Sequence, residues 1–320
     1  MSRIDLSVRL SSLTLQNPVM VASGTFGYGE EYHRLYDVNQ LGGLVTKSIS
    51  LKPRPGNPTP RIYETPSGMI NSIGLQNVGL EAFLKKKMPF LKRLKDVRVI
   101  VNLAGESVAE YVELARRLEE VQGIDGLELN ISCPNCERGG IEFGVNPKLT
   151  AGVVGRVRRV TRRPLIAKLS PNVTDIVAIA RSAVEAGADV LSLINTLLAI
   201  SVDARSWRPR IATVTGGLSG PAVKPIALRM VWQVHRVFPK VPLIGIGGIM
   251  TTEDAVEFML CGATAVEVGT ANYVNPKAPL EILEGVKRYL AARGLVSPKA
   301  LVGRLKVPRR LSGVPRAVAG

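Results

Sequence analysis

The chain has 320 residues, and 46% of them are hydrophobic, so it can bury a sizeable core and is neither disordered nor fibrous. The formal net charge is +16, but nine basic residues and no acidic ones lie in 285–320, which leaves +7 on the first 284 residues. Aromatic residues make up only 5%, which argues against a stacking platform for single-stranded nucleic acid. We therefore interpret the basic segment as a solvated tail and expect no nucleic-acid ligand.

The sequence predicts a cytoplasmic protein. It contains no stretch of ~20 apolar residues, the length that a membrane-spanning helix needs. The first residues, Met1–Asp5, do not begin an apolar signal segment. Three cysteines are too few for a disulfide framework, which favours a reducing compartment.

Eight short apolar runs alternate with segments of helical periodicity. The runs are near-continuous stretches of β-branched and aliphatic residues, typical of parallel strands covered on both faces. The predicted strands are Val19–Thr25, Gly43–Ser48, Arg98–Leu103, Gly126–Ser132, Pro164–Ser170, Val190–Thr196, Pro242–Gly247 and Ala265–Gly269. The predicted helices are 30–41, 78–94, 107–121, 147–161, 173–186, 221–238, 252–261 and 280–292.

This order predicts an α/β fold, a (β/α)8 TIM barrel spanning residues 1–302 as one domain, followed by a basic tail over 303–320. A doubly wound open sheet is the structural alternative. The first eighteen residues alternate apolar and polar positions, so we expect a hairpin that closes the bottom of the barrel. Two long inserts, Leu51–Asn77 and Leu197–Gly220, are predicted to build a site or a partner surface.

Polar residues stand at the predicted carboxyl ends of the strands, where barrel enzymes place their active sites. Lys168 lies within an apolar strand, and we expect no carboxylate from neighbouring strand ends to pair with it. We therefore favour a functional lysine over a structural ion pair. The amide side chains of Asn71, Asn102, Asn130 and Asn195 are expected to converge and to suit a flat heterocycle with carbonyl and N–H edges.

Glycine-rich turns follow the seventh and eighth predicted strands. Gly245–Gly248 and Gly269–Thr270 would let backbone amides approach an anion at the usual phosphate position of such barrels. Together with Gly216–Gly220, they predict a phosphorylated cofactor across the barrel mouth.

Cys133 follows the fourth strand, three residues before Cys136. This spacing is compatible with half a zinc site or a dithiol pair. However, Cys261, His33 and His235 are the remaining soft ligands, and they lie on predicted helices, so zinc and Cys–His hydrolase chemistry are disfavoured. The pattern favours Cys133 as a general base beside a cofactor, with 137–144 as a lid.

Four segments together resemble the dihydroorotate dehydrogenases: Asn71–Asn77, Asn130–Asn135, Ile194–Thr196 and Gly216–Ala222. The resemblance runs from about Ile4 to Val302. It implies an FMN-containing barrel that oxidises dihydroorotate to orotate in pyrimidine biosynthesis, with Cys133 as the base at C5 while hydride leaves C6 for the flavin. The cofactor ligands that the resemblance implies are Ser23, Lys47, Ser48, Asn102, Asn130, Lys168, Ile194, Gly220, Gly247, Gly248, Gly269 and Thr270. The substrate ligands that it implies are Lys47, Asn71, Ser72, Ile73, Gly74, Leu75, Asn130, Asn195 and Thr196; no metal is expected.

A cysteine at the position of the base resembles the soluble class 1 enzymes of this family. Within that class, Gln76 and the segment Cys136–Gly144 resemble the class 1B catalytic subunit more than the fumarate-reducing class 1A enzyme. Class 1B implies a homodimeric core joined to a partner subunit that carries FAD and a 2Fe–2S cluster, a heterotetramer with NAD+ as final acceptor.

Cys136 departs from the apolar residue expected in relatives, and this predicts a reversible oxidation of the Cys133–Cys136 pair. Two alternatives remain open at this point. One is a dihydropyrimidine dehydrogenase acting on dihydrouracil, which the cation Lys47 disfavours because only dihydroorotate offers it a carboxylate. The other is a non-catalytic, polyanion-binding barrel, which the net charge suggests.

Overall fold

The structure is a computed structural model, and it describes residues 4–131 and 140–307. Its strands are β1 (Val8–Leu10), β2 (Leu13–Leu15), β3 (Val19–Val21), β4 (Gly43–Val45), β5 (Ile62–Thr65), β6 (Gly68–Asn71), β7 (Arg98–Leu103), β8 (Gly126–Asn130), β9 (Leu165–Leu169), β10 (Val190–Leu193), β11 (Leu197–Ile200), β12 (Val202–Asp203), β13 (Arg208–Pro209), β14 (Thr215–Ser219), β15 (Leu243–Ile246) and β16 (Ala265–Val268).

The helices lie mainly between the barrel strands. They are α1 (Glu30–His33), α2 (Gly79–Ala82), α3 (Met88–Leu91), α4 (Val108–Glu119), α5 (Gly140–Val145), α6 (Pro147–Arg158), α7 (Ile176–Glu185), α8 (Lys224–Val237), α9 (Thr252–Cys261), α10 (Ala271–Val274) and α11 (Ala278–Ala292). Short 3₁₀ turns at Val38–Gln40, Pro221–Val223 and Pro298–Ala300 and a π turn at Phe83–Lys87 complete the helical segments.

Eight parallel strands form a closed barrel in the order β3, β4, β7, β8, β9, β10, β15 and β16, with β16 pairing back to β3. The fold is therefore a (β/α)8 TIM barrel, and the open doubly wound sheet is excluded. Every barrel strand except β7 is buried at all its positions, and in β7 only Arg98 is partly exposed. This explains the near-continuous apolar runs, because helices cover the outside of the sheet while side chains fill the inside.

The predicted N-terminal hairpin is present, since β1 and β2 pair antiparallel. Its buried leucines, Leu10 and Leu15, belong to one apolar cluster with inward-facing residues of the barrel such as Ile100, Ile166 and Ile244. The hairpin therefore closes the floor of the barrel with apolar packing. The polar layer of the barrel lies one level above this floor, towards the carboxyl ends of the strands.

The two long inserts meet in a second, smaller sheet. Its strand order is β11, β14, β6 and β5, and the register pairs Gly217 of β14 with Asn71 of β6 and with Leu198 of β11. Asn71 also donates its side-chain Nδ2–H to the carbonyl oxygen of Gly217 at 3.3 Å. Residues 51–77 and 197–220 thus come together although 119 residues separate them along the chain.

Two predicted helices are interrupted. The helix predicted over 30–41 ends at His33, and Asp37 instead caps a separate 3₁₀ turn by accepting a hydrogen bond from the backbone N–H of Asn39 at 3.0 Å. The helix predicted over 78–94 contains the π turn Phe83–Lys87 immediately before Pro89. A proline has no N–H to donate to the preceding turn, so this position favours a local change of helical pitch.

Over residues 4–131 and 140–307, no helix combines the length and the apolar character needed to cross a membrane. The start of the predicted basic tail is anchored, because the backbone N–H groups of Gly303 and Leu305 donate to the carbonyl oxygens of Met259 and Leu260 in α9. The rest of that tail, 308–320, lies outside the described residues.

Candidate active site

A cleft of about 1140 Å³, counting the space open to solvent at its mouth, lies at the carboxyl ends of the barrel strands and beneath the inserted sheet. Its lining includes charged and amide side chains, hydroxyl groups, glycine turns and apolar residues of the inserted sheet: Ser23, Gly24, Thr25, Lys47, Ser48, Ile62, Met69, Asn71, Ile73, Gly74, Leu75, Gln76, Asn130, Lys168, Ile194, Asn195, Thr196, Leu218, Ser219, Gly220, Gly247, Gly248, Gly269, Thr270 and Tyr273.

A chain of hydrogen bonds connects the cleft to the interior of the barrel. The Nδ2–H of Asn195 donates to Oδ1 of Asn130 at 3.2 Å, and the Nδ2–H of Asn130 donates to the Ser48 hydroxyl at 3.3 Å. Ser48 in turn donates to Oδ1 of Asn102 at 2.5 Å, and the Nδ2–H of Asn102 donates to Oε2 of Glu128 at 2.5 Å. The amide orientations at the cleft are therefore fixed by a continuous network that ends on a buried carboxylate.

Lys168 lies in an ion cluster, which corrects the expectation that no carboxylate would pair with it. Its Nζ is 3.8 Å from Oε2 of Glu128 and 3.8 Å from Oε2 of Glu267. The expectation was wrong because Glu128 and Glu267 sit inside apolar strands, with both side chains pointing into the barrel rather than standing at a strand end. Lys168 also lines the cleft, so the ion pairs do not remove it from contact with a ligand.

The backbone at the end of β8 is fixed from outside the barrel. The Tyr111 hydroxyl of α4 donates to the carbonyl oxygen of Asn130 at 2.7 Å, and the Tyr111 side chain is fully buried. The α4 helix begins at a Ser107 cap whose hydroxyl accepts from the backbone N–H of Glu110. Asn130 is therefore held by both its side chain and its carbonyl group.

Glycines form the side of the cleft after β15 and β16. Gly247 and Gly248 have φ values of +121° and +75°, a backbone region that favours glycine. A Cβ at Gly269 would meet nothing closer than Ala22 at 3.8 Å, and a Cβ at Gly24 would meet no atom within 4 Å. These positions leave room for a ligand to approach the backbone. The hydroxyl groups of Thr270 and Ser219, 2.8 Å apart, lie at the same side.

Cys133 and Cys136 lie outside the described residues, as do residues 137–139 of the predicted lid 137–144. The remaining lid residues, 140–144, belong to α5. Cys133 follows the last residue of β8, Asn130, by three positions. Across residues 4–131 and 140–307, no three His, Cys, Asp or Glu side chains come together in a way that could hold a metal ion.

Comparisons with known proteins match this architecture. The sequence model of the family described as dihydroorotate dehydrogenase matches residues 5–290. The chain belongs to the dihydroorotate dehydrogenase family.

Curated members of the family are similar to the chain over nearly their whole length. A protein of Geotalea daltonii is 57% identical over 307 residues, which are 96% of this chain and 100% of the relative. A protein of Pelobacter propionicus is 56% identical over 302 residues (94% and 99%), and one of Geobacter sulfurreducens is 56% identical over 307 residues (96% and 100%). Each of the three is named dihydroorotate dehydrogenase B (NAD(+)), catalytic subunit.

The lining of the cleft fits FMN, the cofactor that this family implies. A flavin offers a flat ring with carbonyl and N–H edges and a phosphate, and the cleft offers amides, two ammonium groups and open glycine turns.

Most residues predicted as ligands lie at this cleft, and two do not. Asn102 is fully buried beneath it and contacts the cleft through Ser48. Ser72 is also fully buried, and its hydroxyl has no hydrogen-bond partner within the described part of the chain. The predicted ligands that line the cleft are Ser23, Lys47, Ser48, Asn71, Ile73, Gly74, Leu75, Asn130, Lys168, Ile194, Asn195, Thr196, Gly220, Gly247, Gly248, Gly269 and Thr270.

Sequence reasoning missed four polar residues of the site: Glu128, Glu267, Ser219 and Tyr273. A usable signal existed for Glu128, because it lies two positions before Asn130 in a strand and therefore points to the same side. A similar signal existed for Glu267, because it is a single carboxylate within the apolar strand Ala265–Val268. Ser219 and Tyr273 carried no such signal, since their place depends on the inserted sheet and on a short helix after β16.

Proposed function

We propose that this chain oxidises (S)-dihydroorotate to orotate, with FMN as its resident cofactor, in pyrimidine biosynthesis. The observation that carries the proposal is the cleft at the barrel mouth, where Lys47, Lys168 and three asparagines surround a space of about 1140 Å³. Membership of the dihydroorotate dehydrogenase family supports the same activity.

The residues proposed to hold FMN fall into two groups by chemistry. The ring would contact the ammonium of Lys168 together with Ser23, Ser48 and Asn130, and the phosphate would lie against the glycine turns. Asn102 is proposed to act through Ser48, whose hydroxyl it orients. The proposed phosphate and backbone contacts are Ile194, Gly220, Gly247, Gly248, Gly269 and Thr270.

The substrate is proposed to lie on the side of the cleft formed by the inserted sheet. Lys47 supplies a cation for the carboxylate of dihydroorotate, which dihydrouracil lacks. Asn71, Asn130 and Asn195 supply donors and acceptors to the edges of the pyrimidine ring, and the remaining proposed contacts are Ser72, Ile73, Gly74, Leu75 and Thr196. Because Asn195 and Asn130 are hydrogen-bonded to each other, they present a pre-oriented pair.

The proposed chemistry removes one proton and one hydride from adjacent carbons. Cys133, as thiolate, takes the C5 proton, and the C5–H bond electrons form the new C5=C6 double bond as the hydride leaves C6. FMN, when bound, supplies the acceptor for that hydride. Lys168 would stabilise the negative charge that develops beside it, and Lys47 would hold the carboxylate in place while the ring flattens.

We further propose that electrons leave through a partner subunit that carries FAD and a 2Fe–2S cluster, with NAD+ as final acceptor. The support is the name of the curated relatives, which designates each as the catalytic subunit of an NAD(+) enzyme. The assembly proposed is a heterotetramer around a homodimer of this chain, in the cytoplasm. Residues 1–302 would form the barrel domain, and 303–320 a basic tail of separate role.

The test is an anaerobic titration of the purified yellow protein with dihydroorotate. We expect the flavin absorbance to bleach and to return on addition of the partner subunit with NAD+. Cys133→Ala should lower the rate of bleaching by about 10²–10⁴-fold while FMN stays bound. A colourless protein, or bleaching at the wild-type rate in Cys133→Ala, would refute the proposal.

Matched ligands decide between the alternatives. Lys47→Met should raise the KM for dihydroorotate more than that for dihydrouracil, because only the former has the carboxylate. Faster turnover of dihydrouracil than of dihydroorotate by the wild type would instead assign a dihydropyrimidine dehydrogenase. Reoxidation of the flavin by fumarate and not by NAD+ would assign the class 1A activity. Salt-sensitive RNA binding by a flavin-free protein would instead assign a polyanion-binding barrel.

A further inference from the structure

Two buried glutamates flank Lys168 beneath the cleft, and their surroundings differ. Glu128 and Glu267 are both fully buried, and each has a carboxyl oxygen 3.8 Å from Nζ of Lys168. Neither glutamate lines the cleft, whereas Lys168 does. The three side chains therefore form one charge cluster with a single member exposed to a ligand.

Glu128 is solvated by the protein as an anion. Its Oε2 accepts from Asn102 at 2.5 Å, and its Oε1 accepts from the Ser192 hydroxyl at 2.8 Å. With Lys168 beside it, this carboxylate has donors on both oxygens and a cation close by, the arrangement that a buried negative charge requires.

Glu267 lacks that solvation. Neither of its carboxyl oxygens has a hydrogen-bond partner within the described part of the chain. Its register neighbours are Ile246 on β15 and Met20 on β3, which offer no donor. The charged groups that act on it come from other strands: Glu128 of β8 and Lys168 of β9.

A second anion at this position is unfavourable. Burial, and then the negative charge of Glu128, raise the pKa of Glu267 well above its usual range, and Lys168 only partly opposes this. With Glu267 protonated, the cluster holds one cation and one anion and is neutral. With Glu267 ionised, the cluster carries a net charge of −1 directly beneath the cleft.

We propose that Glu267 is a positioning residue which, by holding a proton, keeps the charge beneath the cleft at zero and lets the Lys168 ammonium act on negative charge in the bound ligand. This inference rests on the proposed function, because that negative charge is the one that develops on the reduced flavin. Ionisation of Glu267 would oppose it, since the added charge repels an anionic ring. Glu267 does not line the cleft, so it would act through Lys168, which does.

The first test needs no cofactor. Glu267→Gln keeps the shape of the side chain and removes its titration, so the cofactor-free variant should lack an infrared carbonyl band of a protonated carboxyl that the wild type shows. A group whose folded pKa is raised stabilises the fold below its unfolded pKa, and that contribution is lost as pH rises towards the folded pKa. The urea midpoint of the wild type should therefore fall relative to that of Glu267→Gln as pH rises above about 4.3, the unfolded pKa of a glutamate, towards the raised folded pKa.

The second test uses the FMN-loaded protein and a redox titration against reference dyes at several pH values. Ionising Glu267 should weaken the preference for reduced over oxidised flavin about tenfold in the wild type, as for a unit charge roughly 10 Å away at an effective dielectric constant near 20. Glu267→Gln should keep the neutral-pH potential and lose this alkaline fall. Glu128→Gln removes the charge that helps to raise the pKa of Glu267, so the fall of the potential should begin at a lower pH in this variant.

The outcomes separate this inference from the proposed function. A protein that binds no flavin refutes the proposed function, and the cofactor-free infrared and urea measurements still decide whether Glu267 holds its proton. Glu267 is refuted as a positioning residue if its glutamine variant keeps the wild-type pH profile of the potential, or if the infrared band persists in that variant. If either variant fails to fold, the infrared spectrum of the cofactor-free wild type at neutral pH decides, because the band of a protonated carboxyl must be present there.

Discussion

The hydroxyl of Tyr111 offers the sharpest test of how the outer helices hold the active-site strands. Tyr111→Phe removes one oxygen from a fully buried ring and leaves its edge-on packing against Phe143, with ring centroids 6.0 Å apart, unchanged. The Asn130 carbonyl oxygen then loses its donor at 2.7 Å. Leaving a buried acceptor unsatisfied costs about 1–3 kcal/mol, more than the net value of an ordinary hydrogen bond.

We expect the free energy of unfolding of Tyr111→Phe to fall by about 2 kcal/mol in urea titrations followed by far-ultraviolet circular dichroism. For a chain of this length, that loss corresponds to a drop of roughly 3 °C in the thermal midpoint. The matched control is Tyr289→Phe, which removes the hydroxyl of a half-buried ring on α11 and should change the stability by less than about 0.5 kcal/mol.

The reasoning also predicts a functional effect, since Asn130 is the last residue of β8 before the segment that carries Cys133. FMN affinity and flavin bleaching by dihydroorotate should both decline in Tyr111→Phe and stay at wild-type level in Tyr289→Phe. Equal stabilities of Tyr111→Phe and wild type would mean that the Asn130 carbonyl does not depend on this donor, and the account of how β8 is fixed would be wrong.

Three further predictions follow from other parts of the chain. Gly42→Ala would place a Cβ 1.9 Å from the backbone oxygen of Asn17 and should lower the free energy of unfolding in urea by more than about 3 kcal/mol. The control is Gly152→Ala in α6, whose Cβ meets no atom within 4 Å and which should be neutral or stabilising. Equal effects of the two substitutions would contradict the packing at Gly42. Burial alone would raise the pKa of Asp254, but hydrogen bonds from Lys224 and from backbone amides lower it below its usual range. The stabilising contribution of Asp254 is therefore complete above the unfolded pKa of about 3.9, and it is lost as pH falls through the lower folded value. The stability difference between wild type and Asp254→Asn in urea should accordingly shrink in acid, and a difference that grows there would refute this sign. Peroxide should inactivate the enzyme through Cys133 and Cys136 with recovery in dithiothreitol, and full activity with both thiols modified by mass would rule this out.

The fold could be predicted because its signal is local and repeated. Each barrel strand is a short apolar run, and each is followed by a segment with helical periodicity, so eight repeats specify a parallel sheet with helices outside. The interruption of the helices near Asp37 and Pro89 was equally local, but it depends on a capping hydrogen bond and a missing N–H that periodicity does not register.

The polar residues at the strand ends could be predicted, but the ion cluster beneath the cleft could not. Asn130 and Asn195 stand at strand ends, where the carboxyl edge of a barrel brings them together, and the structure joins them by a hydrogen bond. The ion cluster was missed because a single glutamate within an apolar strand has no visible partner until the barrel closes. Glu128 and Glu267 are 139 positions apart in sequence and meet only across the barrel interior.

The pairing of β16 with β3 sets a condition on how this chain acquires its structure. Val266 of β16 lies beside Val19 of β3, 247 positions earlier, and the N-terminal hairpin packs into an interior that β16 helps to build. In a chain emerging from the ribosome, the leucines of the N-terminal hairpin therefore cannot be buried in their native positions until β16 has been synthesised. Contacts between residues so far apart in sequence slow folding and prolong the lifetime of aggregation-prone intermediates. Fragments ending before Ala265 should consequently be recovered as aggregates rather than as smaller folded barrels.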